Sequence, residues 1–193
     1  MVYKMAVFGP SGSGKTVLCK ALAEQALGPI PGRGTHAPTA GCRVQEVLRN
    51  LNGTSLSIQL WDTGGGESFH RLAPVFAVHA IGLVLVYDAR KQANSSLKEL
   101  SEMYETIMAS VNMHPSLCLV VGVSVGSVAP DASISLPGAL GQLNHVVVGI
   151  DPNGSDPHGD VQGVLGELDR VAMLAMQSRR QESAQQVVQA SEF

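Results

Sequence analysis

The chain has 193 residues, enough for one domain with a two- or three-layer core that needs neither disulfides nor a metal. A formal charge of -3, with Lys and Arg few and nowhere gathered into a dense stripe, argues against nucleic acid as a partner. Hydrophobic residues make up 45% of the chain, yet the longest apolar stretches, Ile81 to Tyr87 and Leu117 to Val123, are strand-length and too short to cross a bilayer, so a soluble protein is expected. Met1-Val2-Tyr3-Lys4 runs straight into an apolar stretch and shows no secretory pattern. Val2 and the final Ala-Ser-Glu-Phe exclude the usual myristoyl and prenyl signals, so no direct lipid anchor is expected. Cys19, Cys42 and Cys118 are scattered without a C-x-x-C spacing and read as small thiols in a reducing compartment; the six histidines show no H-x-x-x-H pattern that would hold a metal.

In chain order, Tyr3 to Phe8 reads as a first strand and Lys15 to about Leu27 as a first helix, stopped by Gly28, Pro29 and Pro31. Gly28 to Ala40 is a loop rich in Pro, Gly and Thr. Cys42 to Leu51 and Thr54 to Asp62 flank Asn52-Gly53, a strong signal for a hairpin, and are expected to pair antiparallel. After a glycine run, Phe69 to Ala80 suggests a helix interrupted at Pro74. Ile81 to Ala89 has the unbroken apolar character of a buried parallel strand. Ser96 to Val111 then forms a helix, capped near Asn94 to Ser96, with Leu97, Leu100, Tyr104, Ile107 and Met108 on one face. Leu117 to Val123 and Asn144 to Ile150 are two further strands. From Asp160 onward Val161, Val164, Leu165, Leu168, Val171 and Ala172 recur at helical spacing, despite Gly163 and Gly166. Residues 1–178 are expected to form the folded domain and 179–193 a polar tail that frays or is disordered. The alternation of strands and helices predicts an α/β fold: a mostly parallel six-stranded sheet with one antiparallel edge strand and helices on both faces.

Three motifs carry chemistry. Gly9 to Thr16 reads Gly-Pro-Ser-Gly-Ser-Gly-Lys-Thr, a complete G-x-x-x-x-G-K-S/T phosphate loop lying between the first strand and the first helix. In such a loop the backbone N–H groups of Ser11, Gly12, Ser13, Gly14, Lys15, Thr16 and Val17 surround the α- and β-phosphates. Lys15 reaches the β- and γ-phosphates, and the Thr16 hydroxyl is aimed at Mg²⁺. Trp61-Asp62-Thr63-Gly64-Gly65 supplies an Asp-x-x-Gly at a strand end, in which Asp62 can hold Mg²⁺ and the Gly65 N–H can meet the γ-phosphate. Thr39, just before the second strand and after Pro38, can give its hydroxyl to Mg²⁺ and its N–H to the γ-phosphate. Thr35 is the competing candidate.

These motifs in this order resemble the Ras-like small GTPases, a P-loop NTPase fold, over roughly residues 3 to 123. More narrowly, Phe8-Gly9-Pro10, the run Ser13 to Leu18, Pro-Thr-x-Gly at Pro38 to Gly41 and Trp-Asp-x-Gly-Gly at Trp61 to Gly65 resemble the family of intraflagellar transport protein 22, or Rab-like protein 5. That resemblance implies GTP or GDP with Mg²⁺ as ligands and a role as a Rab-like adaptor subunit of intraflagellar transport complex B in cilium or flagellum assembly. It also implies docking on the coiled-coil subunits of that complex, proteins 74 and 81, and location in the cytoplasm, the cilium or flagellum and its basal body.

Two departures from the ordinary GTPase pattern matter. Where Asn-Lys-x-Asp would read guanine, this chain has Val123-Ser124-Val125-Gly126, without a carboxylate. Near the sixth strand Val148-Gly149-Ile150-Asp151 replaces Ser-Ala-Lys, so Ser124, Gly149, Ile150 or Asp151 are what remains to touch a base. The position that often carries a water-orienting glutamine is Gly66, and Ser11 stands where glycine often admits an activating arginine, so slow or absent hydrolysis is expected and no residue is assigned as catalytic. Glu67 and His70 read as an exposed charge and a helix-surface histidine. The alternatives are a catalytically active GTPase switch in vesicle or ciliary trafficking, a P-loop kinase, for which no arginine-bearing lid is visible, and a scaffold without nucleotide.

Overall fold

Strands apolar on every residue must be covered on both faces, and that requirement sets the architecture. The computed structural model describes residues 1–27, 39–90, 94–131, 133–154 and 159–190. In it β1 (Val2–Phe8), β2 (Cys42–Leu51), β3 (Thr54–Thr63), β4 (Gly82–Asp88), β5 (Cys118–Val125) and β6 (Asn144–Ile150) form one sheet in the order β2-β3-β1-β4-β5-β6. All neighbours are parallel except β2 and β3, so β2 is the antiparallel edge.

Alternation along each strand sorts the core into two layers. Tyr3, Met5 and Val7 of β1, Val84 and Val86 of β4, and Leu119, Val121 and Val123 of β5 face helices α1 (Lys15–Leu27) and α4 (Gln162–Ala190), meeting Leu18, Leu22, Val164, Leu165 and Leu168. Their neighbours Ala6, Phe8, Leu83, Leu85, Tyr87 and Val120 face α2 (Glu67–Ala77) and α3 (Asn94–Met108), meeting Ala73, Ala77, Leu97, Leu100 and Ile107. The expected helices on both faces are thus present.

The hairpin closes as its dipeptide demands: Asn52 and Gly53 take φ of 51° and 77°, the left-handed pair of a type I′ turn whose twist matches the strands. Counting outward from that turn gives the register, Leu51 opposite Thr54 and Cys42 opposite Thr63. Arg49 of β2 grips Asp169 of α4 through two parallel hydrogen bonds, Nε to Oδ1 at 2.8 Å and Nη2 to Oδ2 at 2.5 Å, fixing the hairpin to the last helix.

Two elements differ from expectation. The helix expected over Phe69 to Ala80 spans Glu67–Ala77 and runs through Pro74 without interruption. The hydrogen bond that proline forfeits is offset by burial of Ala73 and Ala77 on either side of it, and by Lys4, whose Nζ lies 4.1 Å from the Trp61 ring centroid and donates to the Val78 carbonyl at the helix end, at 2.8 Å. The boundary at residue 178 falls inside α4, which continues to Ala190: after Gly166 that helix meets no Gly or Pro, and its Gln, Ala, Arg and Glu residues favour the helix without needing a core. Asp160 caps its start by accepting the Gln162 N–H. Cys19 and Cys118 are buried thiols, whereas Cys42 is partly exposed. Among the described residues no helix is long and apolar enough to cross a membrane.

The layer under α3 gives a direct test. Leu100 is wholly buried, so Leu100→Ala is expected to lower unfolding free energy by about 2–5 kcal/mol in urea titrations. Leu72→Ala, on the exposed side of α2, is expected to change it by less than about 0.5 kcal/mol.

Candidate functional site

The parallel pairing of β1 with β3 places Val7 opposite Asp62, so the strand that leads into the glycine-rich loop and the strand that ends in Asp62 finish side by side. The Thr63 hydroxyl locks that alignment by donating to the Val7 carbonyl at 2.8 Å. Gly9 opens the loop so close to β4 that a Cβ there would collide with the Val86 carbonyl oxygen. Gly14, at φ 91°, needs its missing side chain both for its backbone and because a Cβ would lie 2.9 Å from Val123 Cγ1.

Lys15 begins α1 and is buried, with Nζ donating to the carbonyls of Gly9 and Pro10, each at 2.8 Å. The loop therefore wraps its own oxygens around the ammonium. Burial pulls the Lys15 pKa below that of an ordinary lysine, opposed chiefly by the Asp62 carboxylate. Val17 buries its side chain in the core and leaves its N–H in the first turn of α1, while Ser11 and Gly12 lie exposed at the loop's outer edge. Ser13 is buried, its hydroxyl without a hydrogen-bond partner among the described residues.

Three oxygen-bearing side chains from three segments converge beside this loop. Thr16 Oγ1 donates to Asp62 Oδ2 at 2.6 Å, Thr39 Oγ1 stands 3.1 Å from Thr16 Oγ1, and Thr39 Oγ1 donates to Asp62 Oδ2 at 3.5 Å. Asp62 is 1% exposed, and its other oxygen, Oδ1, has no hydrogen-bond partner among the described residues. Burial pushes its carboxyl pKa up, against the Thr16 hydrogen bond, the Lys15 charge, Arg43 and Thr39. Two hydroxyls and a carboxylate with a buried oxygen still unsatisfied form a hard oxygen set of the kind Mg²⁺ takes in phosphate sites. The residues present fit that ion.

Gly65 closes the site from the β3 side: a Cβ there would lie 2.6 Å from the Ser11 nitrogen and 2.7 Å from Lys15 Nζ, so only backbone can approach the loop at this point. The Gly64 N–H donates to the Gly41 carbonyl at 2.9 Å, which ties the segment bearing Thr39 to the segment bearing Gly65. The motif reading passed over this tie, although counting outward from the Asn52-Gly53 turn pairs 42 with 63 and hence 41 with 64. Thr35, the competing threonine, lies outside the described residues, as does most of the loop before Thr39.

Beyond Gly65, Gly66 lies at the N-terminus of α2, and a Cβ added there would meet nothing within 4 Å. Glu67 is exposed and pairs with Arg71 at 3.7 Å, while His70 turns to α3, its Nε2 3.0 Å from Glu99 Oε1. Of the candidate base contacts, Ser124 and Gly149 sit opposite each other across β5 and β6, as do Val125 and Ile150. The Ser124 hydroxyl is buried and donates to the Val128 carbonyl at 2.5 Å; Ile150 places its side chain in the core and its carbonyl on the Gly126 N–H at 2.9 Å; and Gly149 lies under Pro130.

Residues 4–124 match the family described as Roc, the Ras of Complex domain of DAPkinase. The chain is 31% identical to intraflagellar transport protein 22 of Chlamydomonas reinhardtii over 180 residues, covering 92% of this chain and 91% of that protein. It is 32% identical to the intraflagellar transport protein 22 homolog of Mus musculus over 149 residues, 74% of this chain and 77% of that one. In fold it is similar to a chain of the GTP-bound T. brucei IFT22/74/81 crystal structure, with a TM-score of 0.68, 22% identity, and coverage of 94% of this chain and 99% of that chain.

A carboxyl whose pKa is raised by folding carries a charge penalty that is absent below the unfolded value, near 4, and grows as pH rises through the folded value. Asp62→Asn is therefore expected to melt at the same or a higher temperature than the parent at pH 7 without nucleotide, with the difference shrinking toward pH 4. The same substitution is expected to weaken Mg²⁺-dependent nucleotide binding in titrations. A variant that melts lower at pH 7 and binds normally would contradict this assignment.

Proposed function

Because the chain belongs to the Ras-like GTPase family and, within it, to that of intraflagellar transport protein 22, we propose that it acts as a guanine-nucleotide-binding, Rab-like adaptor subunit of intraflagellar transport complex B. GTP or GDP binds with Mg²⁺. The loop from Ser11 to Val17, with Gly65, holds the phosphates, and Thr16, Thr39 and Asp62 hold the ion, which when bound neutralises phosphate charge. The convergence of Thr16, Thr39 and Asp62 from three separate segments is the observation that carries this reading, since one cluster of oxygens beside a phosphate loop is what a nucleotide-dependent switch requires.

Its work is binding more than turnover. Gly66 offers no side chain to orient water, Glu67 is exposed, and His70 is turned toward Glu99 of α3. The partners are the coiled-coil proteins 74 and 81 of the complex, which the name of the similar structure supports; the names of the sequence relatives support the cilium or flagellum as its site of action, and the cytoplasm and the basal body complete the proposed distribution.

Purified protein denatured without prior nucleotide stripping is expected to release GDP or GTP, identified by chromatography; ATP alone would overturn the reading. Lys15→Ala removes charge-assisted contacts worth about 1.5–3 kcal/mol each, so nucleotide affinity is expected to fall by roughly 100-fold or more. Co-purification with proteins 74 and 81 is expected to weaken in Lys15→Ala and Thr16→Asn. Binding by nucleotide-free protein as strong as by the loaded form would remove the switch from the proposal. Single-turnover phosphate release is expected to be slow, and rapid release would favour an active GTPase.

A further inference from the structure

The ladder that carries Asp62 to the phosphate loop sets one further charge beside it. Arg43 stands directly opposite Asp62 in the antiparallel pairing of β2 with β3, and residues opposite one another in such a ladder share a face, with Cβ atoms about 4.5–5.5 Å apart. That face is the one covered by α1 and α4: Val47, four residues on and so on the same side of β2, packs in that layer. The Arg43 side chain thus leaves the sheet on the side from which Thr16 reaches Asp62.

The other charged side chains of this part of β2 are committed elsewhere. Arg49, on the same face, is bound to Asp169, and Glu46, on the opposite face, accepts the Ser57 hydroxyl. Arg43 is exposed, and among the described residues its guanidinium makes no hydrogen bond or ion pair at contact distance. Burial acts most strongly on the Asp62 carboxyl, opposed by the Thr16 hydrogen bond and by two positive charges, Lys15 first and Arg43 next. Lys15 is the residue that turns to phosphate oxygens when a nucleotide is held, which leaves Arg43 as the charge free to offset the buried carboxylate whenever the cation is absent.

We propose that Arg43 is a built-in counter-charge of the cation site: it stands in part for the divalent ion beside Asp62, so the protein keeps its nucleotide at low Mg²⁺ and holds the ion itself less tightly. Arg43 is no ligand of the ion. It acts through space, stabilising the unliganded carboxylate and repelling a second positive charge. A unit charge on the order of 10 Å from a divalent ion, in water-like surroundings, shifts that ion's affinity by roughly fourfold. This inference rests on the nucleotide-binding reading above and names the residue that sets how far that binding depends on Mg²⁺.

Arg43→Gln and Arg43→Lys test it, because the first removes the charge and the second keeps it on a side chain of similar length. Full-length parent and variants are loaded with fluorescent GDP, and its release is timed across a series of free Mg²⁺ concentrations buffered with EDTA. Arg43→Gln is expected to reach half-maximal retention at about three- to tenfold less Mg²⁺ than the parent, and to release GDP about three- to tenfold faster once the ion is chelated. Arg43→Lys is expected to stay near the parent on both counts. The difference between parent and Arg43→Gln is expected to shrink at about 1 M salt, where the Debye length is about 3 Å, since Arg43 is exposed. An unchanged Mg²⁺ requirement in Arg43→Gln, or an Arg43→Lys variant as altered as Arg43→Gln, overturns the role of Arg43 while leaving the phosphate site standing. Failure of the parent to retain GDP at any Mg²⁺ concentration removes both readings.

Discussion

One buried carboxylate organises the functional end of this molecule. Asp62 sits where water cannot reach it, and the groups that make its burial tolerable are the hydroxyls of Thr16 and Thr39 and the nearby ammonium of Lys15. They come from two parts of the chain, the first turn of α1, which bears both Lys15 and Thr16, and the segment before β2, which bears Thr39. The register of β1 on β3 fixes where that carboxylate stands, and the layers of apolar residues on both sheet faces fix the register. A core built for stability thus also sets the spacing of a site for charged ligands, because the same strands that carry Val7 and Leu60 inward end in Gly9 and Asp62 at the rim.

The residues proposed to hold phosphate and cation stand out in the sequence because the pattern that carries them is local. A loop that turns backbone N–H groups inward must spend glycines at particular places, and those glycines punctuate the chain visibly between an apolar strand and a helix. The hairpin was equally legible, since Asn52-Gly53 dictates both the turn and, by counting, every pair down to Cys42 and Thr63. Less visible were features decided by tertiary context. Pro74 reads as a break, yet Ala73, Ala77 and the Lys4 cap hold the helix through it. The polar run after residue 178 reads as a tail, yet residues with good helix propensity simply prolong α4.

The base end was hardest to read, for a physical reason. Which side chains would face a base there depends on strand order and register more than on any motif. Ser124 and Ile150 are adjacent to that end in sequence, but one is spent on Val128 and the other on the core and on Gly126.

The bond from Gly64 to Gly41 has a dynamic consequence. It continues the β2–β3 ladder by one step past Cys42 and Thr63, so the segments that bring Thr39 and Gly65 to the glycine-rich loop diverge from the same end of a single zipper. Ends of ladders fray first and at low free energy, and each residue unzipped shifts the chain by about 3.3 Å. Thr39 lies two residues beyond Gly41, so the loss of one or two rungs is enough to carry its hydroxyl out of reach of Asp62. The positions of Thr39 and Gly65 are thereby coupled through a few peptide hydrogen bonds at the end of one ladder.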